Sequence, residues 1–175
     1  MSRGENGSRG RIASVVLADD VDYPKMAIYA VGAFMAVAVL SFLNLDLQQP
    51  LLIASFGATT IILFAMPGSR AARPRNAFFG QVISASVAVL LYHLLGCTWI
   101  SLAIGVSLAL VVMVVTDTLH PPGGATVIAC LTSQSPTWTF VLMPVAVGVL
   151  FLVMVAALTG LAYRGYVSRR PAVDH

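Results

Sequence analysis

The sequence predicts an all-α polytopic membrane protein, built from two inverted repeats of three membrane elements that include short or re-entrant half-helices. Three observations carry this prediction. Charged residues make up 10% of the 175 and hydrophobic ones 58%, with a mean hydropathy of +0.89, whereas a soluble domain carries about 25% charged residues. Apolar runs of membrane-crossing length recur along the chain. The segment FGATTII at 56–62 returns as GGATVIA at 123–129, which sets Gly57 over Gly124, 67 positions later.

The elements follow in order. Residues 1–25 form a polar arm of mixed charge without the pattern of a cleavable signal. Within it, IASVVLA at 12–18 is too short to span and reads as a short interfacial piece or as disordered chain. Residues 26–43 are uncharged and cover roughly 27 Å as a helix, enough for a thin bilayer core. NLDLQQ ends this run. Residues 50–68 are a shorter, proline-bounded run with Ser55, Gly57, Ala58, Thr59 and Thr60 in its middle. A loop bearing Arg70, Arg73 and Arg75 leads to a third span, 77–95, with Gln81 and His93 near its two ends. A fourth runs over 99–115, with Trp99 as an interfacial anchor. After a polar central stretch and the turn TSQSPT, residues 138–163 are long enough to cross with a tilt. Residues 26–166 thus form one transmembrane domain, followed by a basic tail at 167–175.

Charge placement tests the count. With six crossing elements and a cytoplasmic start, the turns at 44–49, 96–98 and 132–137 fall outside, and none holds Lys or Arg. The arm, the arginine loop and the tail with Arg164, Arg169 and Arg170 all fall inside, as the positive-inside rule requires. Five spans would put the three tail arginines outside. Both termini are therefore expected in the cytoplasm. The net charge of +3 and pI near 9.2 report this topology and no nucleic-acid partner, because the basic residues keep to the ends and one loop. Cys97 and Cys130 have no metal-type spacing and read as buried apolar residues.

The centre is residues 116–131, TDTLHPPGGATVIACL. Unpaired polar groups at membrane depth cost several kcal/mol, so such a stretch must be buried in protein or face water. Too few apolar residues follow Pro121 for a full span, so 121–131 is expected as a half-helix, with TDTLH entering as irregular chain. Pro121 or Pro122 would stand at its first turn, where a missing N–H costs nothing. The run from Pro50 is its inverted counterpart. Two short helices entering from opposite faces would point their partly positive amino termini at the midplane. There Gly57, Gly123 and Gly124 would let amides approach a ligand, and Ser55, Thr59 and Thr126 would add hydroxyls. Those are the parts of a small-anion site.

At this point the residues resemble a known family. PLLIASFGATTIILFAMPGSRAARPRNAFFGQ followed by TDTLHPPGGATVIA is similar to the HPP family of integral membrane proteins, named for a motif that stands here as His120–Pro121–Pro122. The resemblance covers roughly residues 24–163. It implies membrane transport, since some cyanobacterial and chloroplast members are implicated in nitrite movement, and the expected substrate-binding set from the GAT and HPP segments is Ser55, Gly57, Ala58, Thr59, Thr60, His120, Pro121, Pro122, Gly123, Gly124, Ala125 and Thr126. Arg73, Arg75 and Asn76 match the family's block after the first GAT segment. The family pattern leads one to expect HPPAGAT where this chain has HPPGGAT, and histidine where it has Gln81.

Individual residues have competing readings. Asp117 is either proton-linked and a partner for His120, or structural, as a helix cap or an inner-interface residue. His120 either donates to an anion or shuttles a proton, or else fixes the turn. Arg73, Arg75, Asn76 and Gln81 are expected at the inner mouth, where the arginines either funnel anions or simply set topology. No ligand spacing among His93, His120 and Asp117 supports a metal, no cofactor motif appears, and no nucleophile–base pair points to an enzyme. The expectation is a bilayer-embedded homo-oligomer that moves a small anion, with nitrite as the substrate the resemblance implies. A pore for a neutral solute and a non-transporting anchor or sensor subunit are the competing classes. A start at Met without a transit peptide points to a bacterial inner membrane.

Overall fold

The structure, a computed structural model, describes residues 22–47, 53–133 and 136–169. The expectations for 12–18, for the start of the second run at Pro50 and for most of the basic tail lie outside the described residues. The protein is an all-α polytopic membrane protein. Its helices are α1 (Tyr23–Leu45), α2 (Ala54–Ala65), α3 (Pro74–Leu95), α4 (Trp99–Val115), α5 (Gly123–Leu131) and α6 (Trp138–Ser168). By length and composition α1, α3 and α6 suffice to cross a bilayer, while α2 and α4 are shorter apolar helices.

Local chemistry sets the boundaries. Asp22 accepts the Lys25 amide at 3.0 Å and Pro24 occupies the first turn, so α1 starts three residues before the apolar run does. Pro74 likewise opens α3 ahead of its expected start. Gly96 ends α3 at a φ of 67°, a conformation a residue with a Cβ rarely adopts. Thr98 and Ser101 then form a reciprocal capping box that begins α4. Near its start α6 is interrupted: Met143 is extended (φ −140°, ψ 116°) beside Pro144, which lacks the amide a continuous helix needs. The helix also runs on to Ser168, past the expected end at 163.

The bundle is organised around α3. Its residues Ala77, Gly80, Gln81, Ser84, Ala85 and Ala88 recur at helical spacing and are all buried. Lipid tails are as apolar as leucine, so helices associate in a bilayer by close packing and interhelical hydrogen bonds. Small residues on one face of α3 meet that need. Ala85, Val89, Ala109, Met113, Val127 and Leu131 form one core from α3, α4 and α5. Leu40, Phe56, Leu63, Ala77, Val149 and Leu152 form the other, from α1, α2, α3 and α6. Large apolar side chains such as Phe34, Val111 and Leu150 face outward, as a lipid-facing surface requires.

Candidate functional site

The two short helices meet against α3. Ser55, in the first turn of α2, lies 2.7 Å from Thr126 in the first turns of α5. One helical turn further along α2, the Thr59 hydroxyl lies 3.0 Å from His120 Nε2, just before α5. The helices therefore run antiparallel and overlap only at their beginnings. Gln81 stands between them from α3: its Nε2 donates to Thr59 Oγ1 at 2.7 Å, and its Oε1 accepts from Thr126 Oγ1. Ser55, Thr59, Gln81, His120 and Thr126 are all completely buried. By the helical rise, Gln81 lies about one third of the way along α3 from its arginine-bearing end.

The hydrogens can be assigned. The Ala71 carbonyl only accepts, so His120 donates from Nδ1 across 2.8 Å and carries its proton there. Nε2 of the neutral ring then accepts from Thr59, which in turn accepts from Gln81. Thr126 has one hydroxyl hydrogen, and its Oγ1 donates toward both Gln81 Oε1 and Ser55 Oγ. The result is a continuous belt from Ser55 to Ala71 with no formal charge. Among the described residues, every buried side-chain nitrogen or oxygen has a partner.

The prolines and glycines of the central stretch have local reasons. The amides of Gly123, Gly124 and Thr126 donate to the carbonyls of His120, Pro121 and Pro122, at 2.9, 3.1 and 3.1 Å. The two prolines bring no N–H of their own, so α5 begins inside the bundle with few orphan donors. A Cβ on Gly80 would stand 2.7 Å from His120 Cβ and 2.9 Å from the Thr118 carbonyl. One on Gly123 would meet Ser84 Oγ and, at 3.1 Å, the Gly80 carbonyl. These glycines allow α3 and the start of α5 to touch.

The residues expected to bind substrate are thus divided. Ser55, Thr59, His120 and Thr126 come together in the belt. Thr60 turns back to its own helix and donates to the Phe56 carbonyl at 2.8 Å. Gly57, Ala58, Pro121 and Ala125 lie on exposed faces, Gly124 is half-buried, and Pro122 and Gly123 are buried. Of the expected inner-mouth set, Gln81 moves to the centre of the belt, because it faces the bundle two turns into α3. Asn76 is buried and reaches the Leu119 carbonyl at 3.4 Å, and Arg75 donates to the Thr116 carbonyl at 3.0 Å. Arg73 is exposed.

Asp117 lies at the surface and pairs with Arg70 at 2.6 Å, with the two side chains 57% and 71% exposed. Its φ is 54°, a conformation that Asp tolerates better than most residues. Its partner is thus Arg70 and not His120. His93 sits exposed near the far end of α3 from His120, and Cys97 is exposed where burial was expected, because it falls in the turn after α3; Cys130 is buried. Sequence reasoning missed the Ala71 carbonyl, which no side-chain pattern marks. It also missed the bridging role of Gln81, whose one available signal was an amide in a span packed beside two matching threonines.

Residues 18–167 match the family model described as HPP, transmembrane region. The chain belongs to the HPP family. This HPP chain is 34% identical over 136 residues to a transmembrane protein of Dictyostelium discoideum, covering 71% of this chain and 48% of the relative. A second Dictyostelium transmembrane protein matches equally over 71% of this chain and 44% of its own length. The chain therefore spans less than half the length of these curated relatives. No solved structure matches. HPP membership and the apolar helices make this an integral membrane protein.

Proposed function

We propose that the protein transports a small inorganic anion, nitrite in the first instance, through the place where the two GAT helices meet. One observation carries the reading: five polar side chains are fully buried where two short apolar helices meet inside the bundle. A bundle needing only an anchor has no use for so costly a set. Hydroxyls, an amide and an imidazole are hydrogen-bonding groups suited to an ion stripped of water, and both helix amino termini add partial positive charge. Arg73 and Arg75 at the adjoining surface would concentrate anions. The reading extends to an inverted pair of three-element repeats, a homo-oligomer, a bacterial inner membrane, cytoplasmic termini and no enzymatic chemistry. The test is nitrite flux into proteoliposomes between pH 5.5 and 8, comparing the parent with His120→Ala and Gly124→Leu. Loss of flux in both folded variants supports the reading, and no nitrite flux in the parent at any pH overturns it.

A second reading has its own observation. The belt carries no formal charge and the carboxylate of Asp117 lies outside it, which suits a neutral solute or the protonated acid. Flux that follows the nitrous acid concentration as pH falls, instead of that of nitrite, selects this reading.

A further inference from the structure

We propose that Gln81 is the gate of this pathway: its carboxamide latches the two GAT helices together, and its release opens a passage lined by hydroxyls. The inference rests on the transport reading above but stands on separate geometry. Thr59 and Thr126 occupy matching positions in the two GAT segments, and one amide holds both, donating to the first and accepting from the second. No other side chain bridges α2, α3 and α5 among the described hydrogen bonds of the belt. With the latch closed, each hydroxyl is turned toward a protein partner, and the packed belt offers a permeant ion neither space nor free donors.

A carboxamide suits this task for a chemical reason. It presents a donor and an acceptor at opposite corners, so it satisfies both threonines when closed. Rotation about its side-chain bonds frees Thr59 and Thr126 together. The Thr126 O–H and the Gln81 N–H groups would then be donors aimed into the gap between the helix amino termini, while Thr59, its hydrogen still on His120, would offer a free lone pair. Gly80 and Gly123 keep the adjoining backbones in contact, so the gap opens at side-chain level while α3 and α5 stay packed.

The test reads access directly. Ser55→Cys is made in a background with Cys97→Ser and Cys130→Ala, reconstituted in proteoliposomes, and exposed to a small anionic methanethiosulfonate. With Gln81 intact the introduced thiol is expected to react slowly. Gln81→Ala removes latch and bulk, while Gln81→Met keeps the bulk and removes both hydrogen bonds. Each is expected to raise the labelling rate about eightfold, the factor two interhelical hydrogen bonds in a membrane support. Monodisperse elution in detergent qualifies each variant as folded, and the methionine variant alone is sufficient for the comparison. Equal labelling with and without Gln81, or an increase in the alanine variant only, overturns the latch. Nitrite flux on the same vesicles separates the two ideas. Faster labelling without any parent flux retains the gate and removes the nitrite reading, whereas parent flux with unchanged labelling does the reverse.

Discussion

Thr59 and Thr126 sit 67 positions apart in matching GAT segments and are held by the two ends of a single amide. Gln81 Nε2 reaches Thr59 at 2.7 Å, and Gln81 Oε1 accepts from Thr126. An interhelical hydrogen bond in a membrane contributes about 0.6 kcal/mol on average, so such contacts stabilise the bundle modestly. Their larger consequence is geometric, because they decide which atoms face the junction of α2 and α5.

His120 closes the other end of the belt. His120→Ala leaves the Ala71 carbonyl and the Thr59 hydroxyl without their partner, and is expected to lower unfolding stability in detergent by about 1–3 kcal/mol. Nitrite flux should be lost with it. His120→Gln can donate to Ala71 and accept from Thr59, and should recover much of the stability. Thermal denaturation of the three proteins checks this; an unaltered midpoint for His120→Ala would contradict the bonded geometry.

The glycines separate by what surrounds them. Gly80→Ala and Gly123→Ala force contacts near 3 Å with neighbouring atoms and should each cost about 1–3 kcal/mol. Gly57 has nothing within 4 Å of an added Cβ. Gly57→Ala should therefore be neutral or stabilising by up to about 1 kcal/mol, since alanine loses less freedom in a helix. Melting temperatures of the three variants in one detergent rank them.

Asp117 is expected to matter little to transport. Its pair with Arg70 is exposed, and such pairs contribute about 0–1 kcal/mol. Asp117→Asn should leave the pH profile of flux unchanged. A profile that flattens in this variant would restore the proton-linked role. Asp117→Val should destabilise more than Asp117→Gly, because only glycine is at ease at a φ of 54°.

Topology is open to a native reporter. Cys97 is exposed in the turn after α3, and Cys130 is buried. In the proposed orientation, a membrane-impermeant maleimide added to intact cells should label Cys97 and spare Cys130. Labelling of Cys97 only after the cells are opened would invert the orientation.

Much of the architecture was legible beforehand. The fourth span coincides with α4, and the short element after Pro121–Pro122 is the nine-residue α5. Hydropathy and proline placement act over a few residues, and these elements depend on little else. Where boundaries moved, caps moved them: Asp22 and Pro24 lengthened α1, and Pro74 lengthened α3. Ser55, Thr59, His120 and Thr126 were legible as polar groups too costly to bury without purpose. Gln81 was expected at the mouth and stands in the belt, because composition alone does not tell which face of α3 turns inward.

The sequence by itself thus determined the membrane solvent, the helical class, the short elements and the family. The first three follow from local chemistry, apolar runs and proline's missing donor, and the family from the resemblance of two motif blocks. Only the tertiary structure decided the belt. Gln81 finds Thr59 and Thr126 across separations of 22 and 45 residues, and His120 finds Ala71 across 49. Those meetings depend on how α2 and α5 overlap against the small-residue face of α3. That overlap is a property of packed helices and is written in no single segment.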